Sequence, residues 1–255
     1  MWASQSPIFL DIETIPDESR RHLWDLPDAP DIYPLSAALV GSTVSEIRVF
    51  LDQFALTLPS DYLAAIEDAE QQRCRGSRKG VSRALTKARQ AEADLRKTLS
   101  LDPERGRAAV GWAVGDGEVQ GAAVYDRMPE QEALKLIWNI LDDQAFSPIV
   151  GYNVLGFDLP VIFARSILLG VEATRAINMR KYGNPDVIDL MVARFPSGRK
   201  KSLKTLAAQY GIEVPCPDVD GGDVFGMSPE ERAEYVRSDV IVTRALYQRF
   251  RGYFC

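Results

Sequence analysis

Residues 7–16 read Pro7-Ile8-Phe9-Leu10-Asp11-Ile12-Glu13-Thr14-Ile15-Pro16. Apolar, partly β-branched residues fenced by prolines predict a short buried strand. Two acids interrupt it at a spacing of two, so Asp11 and Glu13 point to the same face. Side by side on a buried strand, two carboxylates repel, and the repulsion costs free energy unless a cation lies between them. The stretch therefore predicts the opening strand of a sheet, and its two acids read either as a metal-binding pair or as an Asp-x-Glu pair of the kind common on strand ends.

Two further places carry acids in apolar surroundings. Asn153-Val-Leu-Gly-Phe-Asp158 follows the apolar strand Pro148-Ile-Val-Gly-Tyr152 and opens a run with helical spacing from Leu159 to Leu169. Tyr235 and Asp239 lie four apart near the chain's end, one turn from each other on one helix face, and Val242 and Leu246 continue that face inward. Buried acids are rare unless paired or bound to metal. A carboxylate-rich, histidine-poor donor set suits Mg²⁺ or Mn²⁺ rather than Zn²⁺. The single histidine, His22, sits in a Pro- and Asp-rich stretch and reads as a solvated loop residue.

The rest of the chain supplies the frame. Residues 17–34 predict a loop, and 36–58 carry no clear pattern. Residues 61–97 predict helix with a break at Gly76–Gly80, and the second half, 81–95, carries a thin apolar stripe of Ala84, Leu85, Ala88, Ala91 and Leu95. Arg107–Val114 and Val119–Tyr125 predict two strands joined around Asp116-Gly117. Pro129–Asp142 predicts an amphipathic helix with Leu134, Ile137, Trp138 and Leu141 on one face. A short helix is expected at Ser202–Tyr210, stopped by Gly211. Ser228, Pro229 and Glu231 form a start signal for a last helix running to about Phe250. Strands in a meander followed by alternating helix and strand predict a mixed α/β sheet covered by helices.

Phe9-Leu-Asp-Ile-Glu-Thr14 resembles the first exonuclease motif of the DEDD (DnaQ-like) superfamily. Gly151-Tyr-Asn-Val-Leu-Gly-Phe-Asp-Leu-Pro160 resembles the second motif of the proofreading domains of family-B DNA polymerases. Tyr235-Val-Arg-Ser-Asp239 resembles the third motif in its tyrosine (DEDDy) form, and Ser202–Ala207 and Asp220-Gly-Gly-Asp223 resemble segments of stand-alone family-B-related exonucleases. The resemblance covers residues 6–16 and 106–250. It implies an RNase H-like mixed sheet flanked by helices, with Asp11 and Glu13 on the first, central strand. The chain then reads as a single domain, 1–255, whose core is 1–16 and 106–255 and whose largely helical insertion spans about 17–105.

The same resemblance implies a 3′→5′ exonuclease with two Mg²⁺ or Mn²⁺ ions roughly 4 Å apart. Asp11, Glu13 and Asp239 would hold one ion, Asp11 would also reach the second, and Asp158 would hold that one largely through water. Tyr235 would orient the attacking water, since a phenol titrates too high to act as a base at neutral pH. The products would be nucleoside 5′-monophosphates, with single-stranded DNA as the implied partner. Thr14 and Ile15 line the terminal nucleotide or simply end the strand. Asn153 shapes the site or caps its turn, and Phe157 reads mostly as core. Among rival readings, an exoribonuclease shares the chemistry. A catalytically inactive nucleic-acid-binding module is opposed by the presence of all four acids and the tyrosine.

Net charge is −6 over 255 residues. That argues against nucleic-acid binding by charge alone, but not against a nuclease whose metals supply the positive charge. Residues 73–97 go against the trend, with nine basic residues against Glu92 and Asp94, a local charge of +7. Arg83, Lys87 and Arg89 there, and Lys201 with Arg199, Lys200 and Lys204, read either as phosphate contacts or as solvated faces. Cys74, Cys216 and Cys255 have neither disulfide-framework nor metal spacing. No apolar run is long enough for a membrane span and no leader pattern is visible. A soluble, cytoplasmic protein is expected, acting alone or in trans with a polymerase or repair partner because no polymerase domain follows.

Overall fold

The computed structural model describes residues 7–16, 60–102, 106–114, 123–124, 128–143, 147–194, 201–219, 221 and 223–253. The expected loop at 17–34, His22, the hairpin turn at Asp116-Gly117, Arg199, Lys200 and Cys255 lie outside them. The chain divides into two compact units, Met1–Ile15 with Arg107–Cys255, and Pro16–Gly106.

The first unit is built on a five-stranded sheet. In chain order its described elements are β1 (Ile8–Pro16), β2 (Gly106–Val114), β3 (Ala123–Val124), α1 (Glu130–Asp143), β4 (Ile149–Gly151), α2 (Asp158–Leu169), β5 (Val187–Asp189), α3 (Leu190–Arg194), α4 (Leu203–Gln209) and α5 (Pro229–Phe250). The strand order is β3-β2-β1-β4-β5, which puts β1 in the middle. β1 runs parallel to β4, with Ile8 opposite Ile149 and Phe9 opposite Val150. β4 runs parallel to β5, and β2 is antiparallel to β3 with Val110 opposite Val124. The sheet is thus mixed, and helices cover it, as the α/β reading expects. A central strand is flanked by neighbours on both edges and packed on both faces, and Ile8, Phe9, Leu10 and Ile12 are accordingly all buried.

Local signals in the sequence fix most helix ends. α5 starts with a full capping box, in which Ser228 Oγ accepts from Glu231 N and Glu231 Oε2 accepts from Ser228 N, with Pro229 in the first turn. α4 starts at Ser202, whose hydroxyl accepts from Thr205 N. It is followed by Gly211 at φ +66°, the left-handed geometry that a glycine takes without strain. β5 and α3 carry no periodic signal because they are only three and five residues long. They are additions to the reading of the sequence.

One polar contact ties three elements of this unit together. Glu130, the first residue of α1, accepts from Arg165 Nε on α2 at 2.9 Å, pairs with its Nη2 at 2.5 Å, and also accepts from Ala108 N on β2 at 2.9 Å. Nearby, Trp138 stacks on Phe163, with ring centroids 5.7 Å apart, and donates to Ser166 Oγ.

In the second unit two helices, Ser60–Cys74 and Arg78–Leu101, pack against each other. The break falls at Arg75–Ser77, with Gly76 at φ +68°, and Ser77 caps the second helix by accepting from Gly80 N. Of the expected stripe, Ala84, Leu85 and Ala88 are buried and Ala91 is half-buried; Val81 is buried as well, as are Tyr62, Ala65, Ile66 and Ala69 of the first helix.

Candidate active site

Strand alternation places Asp11 and Glu13 on one face of β1, and α5 brings Asp239 to them. One carboxylate oxygen from each of Asp11, Glu13 and Asp239 lies within 4.8 Å of the other two. Tyr235, one turn before Asp239, is buried and hydrogen-bonded to it. Three acids from two segments more than two hundred residues apart in sequence thus converge at the middle of the sheet.

Asp158 has a different position from its partners. It is the first residue of α2, where a carboxylate is favoured by the helix's positive end. Its Oδ1 accepts from Ile12 N, the amide between Asp11 and Glu13, at 2.9 Å. Among the described residues it does not join the three-carboxylate cluster, but its charge reaches Asp11.

Electrostatics match this crowding. Burial raises the Asp11 carboxyl well above the usual range, and the charges of Asp158, Glu13 and Asp239 raise it further. Asp158 is pushed up to about 7 by burial; the hydrogen bond from the Ile12 amide pulls it back and Asp189 adds to the rise. Burial, then the charges of Glu13, Asp239 and Asp11, push the Tyr235 phenol upward, so it stays protonated. Acids whose folded-state pKa is raised bind more protons folded than unfolded. Their contribution to stability is therefore full below the unfolded value near 4 and is lost as pH rises toward 7. In EDTA the midpoint of thermal unfolding should fall between pH 5 and pH 7.5, and saturating Mg²⁺ should reverse that fall. A midpoint flat with pH and indifferent to Mg²⁺ would mean the carboxylates are not in strained proximity.

The donor chemistry fits divalent metal. All four acids offer oxygen only, the preference of Mg²⁺ and Mn²⁺. Among the described residues, Asp11 Oδ2 is buried without a hydrogen-bond partner, a costly state for an acceptor that a bound cation would relieve.

The turn before Asp158 depends on a residue not singled out in the sequence. Asp189, buried at the end of β5, accepts from Asn153 N at 3.0 Å and Met191 N at 3.0 Å through Oδ1, and from Leu155 N at 3.2 Å through Oδ2. Asn153 takes φ +66° there, and Gly156 packs close to it: a Cβ at 156 would lie 2.6 Å from Asn153 Oδ1, so the Asn153 side chain would have to shift. Asn153 is thus a turn residue, and Phe157 packs partly buried against the main core. An acid closing the apolar run Val187-Ile-Asp189 was the available signal.

The other named residues are spread out. Thr14 is buried, and Ile15 belongs to a small apolar cluster with Ala109, Val224 and Tyr235. Gly221 approaches the acids: a Cβ on it would sit 3.7 Å from Glu13 Oε2 and 3.8 Å from the Tyr235 hydroxyl. Lys201 is exposed and donates to Gln209 Oε1 at 2.6 Å. Arg83, Lys87 and Arg89 are exposed on the second helix of the other unit. Arg89 shares a cavity of about 560 Å³ with Arg73, Arg78 and Ser77.

Residues 115–254 match the family described as "Predicted 3'-5' exonuclease related to the exonuclease domain of PolB". Comparison with curated proteins and with solved structures gives no match. The matched segment holds Asp158, Tyr235 and Asp239, and the fold adds Asp11 and Glu13 from outside it. On a match that spans more than half of its length, the chain belongs to this family of predicted 3′–5′ exonucleases.

Proposed function

We propose that the protein is a two-metal-ion 3′→5′ exonuclease that hydrolyses DNA, preferentially at single-stranded 3′ ends, to nucleoside 5′-monophosphates. The observation that carries this reading is the convergence of Asp11, Glu13 and Asp239 within 4.8 Å beside a protonated, buried Tyr235. Mg²⁺ or Mn²⁺ bound there would lower the pKa of a water and offset charge on the attacking and leaving oxygens. Asp11, Glu13 and Asp239 would hold one ion, and Asp158, with Asp11, would serve the second. Tyr235, kept neutral and anchored on Asp239, positions the attacking water instead of taking its proton. DNA is favoured because the family is related to the exonuclease domain of PolB.

The fold belonging to this reading is RNase H-like, supported by a mixed sheet whose central strand carries two of the acids. Residues 1–16 and 106–255 form the exonuclease core, and 17–105 is an insertion into it. Among the described residues no helix is long and apolar enough to cross a membrane, and Cys74 and Cys216 are free thiols. The proposal places the enzyme in the cytoplasm, working on nucleic acid alone or in trans with a polymerase or repair partner.

The test is degradation of 5′-labelled single-stranded DNA in Mg²⁺ or Mn²⁺. A ladder that shrinks from the 3′ end and disappears with EDTA is expected. Degradation of RNA alone would reassign the substrate, and no cleavage of either by folded protein would overturn the reading.

We further propose that Arg83, Lys87 and Arg89 contact phosphates. Removing one such interaction should flatten the dependence of log K on log salt by roughly 0.7 for single strands. The triple Gln variant should therefore bind DNA more weakly and with a shallower slope, measured by fluorescence anisotropy. An unchanged slope would make that helix face merely solvated.

A further inference from the structure

Lys204 lies in the first turn of α4, at the end of the basic run that begins at Arg199. Its ammonium points inward, to the protein's own backbone. Nζ donates to the carbonyl of Cys216 at 2.5 Å and to that of Val219, and it sits over the Tyr235 ring, 5.2 Å from the centroid. An ammonium has three donors and no acceptor. Here two serve carbonyls, and the charge lies within the roughly 6 Å over which a cation is attracted to an aromatic face.

Both carbonyls belong to one irregular segment, 216–219, whose backbone groups need partners because no ladder satisfies them. A second tie comes from α5: Ser238, buried three residues after Tyr235, accepts from Cys216 N at 3.2 Å. Two residues beyond Val219 the same segment brings Gly221 against Glu13 and the Tyr235 hydroxyl. The place of this loop therefore decides how closely backbone lines the site, and Lys204 is the side chain that joins the loop to the tyrosine ring.

We infer that Lys204 is a positioning residue: its charge fixes the Tyr235 ring while its donors hold Cys216 and Val219, two residues short of Gly221, which faces Glu13 and the Tyr235 hydroxyl. The inference rests on the exonuclease reading and adds to it a residue that touches neither metal nor substrate. It also separates Lys204 from Lys201, which is exposed and turned to Gln209.

The experiment is a double-mutant cycle of Lys204→Met with Tyr235→Phe, read as kcat and KM on 5′-labelled single-stranded DNA and as the Mg²⁺-induced shift in thermal midpoint. Methionine keeps the length of the stem and removes the charge and donors. Misplacement of a positioning group on this scale should lower kcat roughly ten- to a hundredfold, with KM and the Mg²⁺ shift little changed. In the Tyr235→Phe background the same change should cost less than about threefold, because groups that act through one another are non-additive. Lys204→Arg should recover only part of kcat, since a planar guanidinium cannot place a compact charge between two carbonyls and a ring. Should Lys204→Met fold poorly, the cycle is run with Lys204→Arg and must show the same non-additivity.

A raised KM with unchanged kcat would make Lys204 a substrate contact and overturn the inference. A cycle in which the two rate effects simply multiply would show that Lys204 acts independently of Tyr235, and would overturn it equally. Folded wild-type protein without exonuclease activity would remove the exonuclease reading, and this inference with it. An active wild type with independent effects removes the inference alone.

Discussion

Asp239→Asn and Asp11→Asn are each expected to lower the exonuclease rate by roughly a thousandfold or more, the loss of several kcal/mol of metal-borne charge stabilisation. The substitution is nearly isosteric, so packing around β1 and α5 should persist. It removes one negative charge from a cluster in which burial and three neighbouring acids already raise Asp11. In EDTA the variants should therefore unfold at the same temperature as the wild type or higher. In Mg²⁺ they should lose most of the wild type's thermal shift, because stabilisation by a ligand scales with its affinity for the folded state. Loss of activity, loss of metal shift and retained apo-stability together separate a metal site from a structural cluster. Activity within about tenfold of the wild type would sink the assignment, as would a destabilised apo-form, which would make the carboxylates structural partners.

This pairing of crowding and chemistry also bears on the inactive-module alternative. A binding module has no use for three carboxylates held within 4.8 Å of one another at the centre of a sheet. Without a cation the arrangement costs stability, and natural proteins keep such cost where a site requires it. The dependence of stability on Mg²⁺ and pH is therefore informative even before any substrate is found.

What the sequence revealed was local. The acids of β1 follow from strand alternation, Tyr235 and Asp239 from helical spacing, and the start of α5 from a capping box that the fold reproduces bond for bond. What it hid was long-range. Asp189 organises the turn before Asp158 through amides 34 and 36 residues away. Asp158 accepts from an amide 146 residues away, a contact that no spacing rule encodes, and among the described residues it stands outside the three-acid cluster. Lys204 looked like one more member of a basic run because its two carbonyl partners lie 12 and 15 residues downstream. Gly221 belonged to a segment noticed only by resemblance, and its closeness to Glu13 exists only in three dimensions. The position of β1 in the middle of the sheet, which sets the whole site, was implied by the family resemblance alone, because it is a property of strand order. Periodicity cannot supply it.

Glu130→Ala is expected to be the most destabilising single change at a polar position away from the site. Arg165 is 2% exposed and Glu130 9% exposed at the side chain, so the pair lies in low dielectric. Glu130→Ala strips Arg165 of this buried carboxylate, and breaking a buried ion pair costs roughly 3–5 kcal/mol. The same substitution takes the acceptor from Ala108 N on β2, the strand next to β1. For a chain of this size about 2–4 °C of midpoint is lost per kcal/mol, which predicts a fall on the order of 10 °C by calorimetry or circular dichroism. Glu130→Gln retains a neutral acceptor for Ala108 and should cost less. Replacing both members, Glu130→Leu with Arg165→Met, should recover the ion-pair part of the loss, since an apolar pair of similar volume needs no counter-ion, but not the part due to the lost acceptor for Ala108 N. Activity should fall along with stability. Arg165 lies seven residues, two helical turns, after Asp158 on α2, so the contact that holds Arg165 also sets the height at which that helix presents its first carboxylate. A Glu130→Ala variant that loses less than about 1 kcal/mol would behave like a solvated surface pair and would show that α2 is held by its apolar face alone.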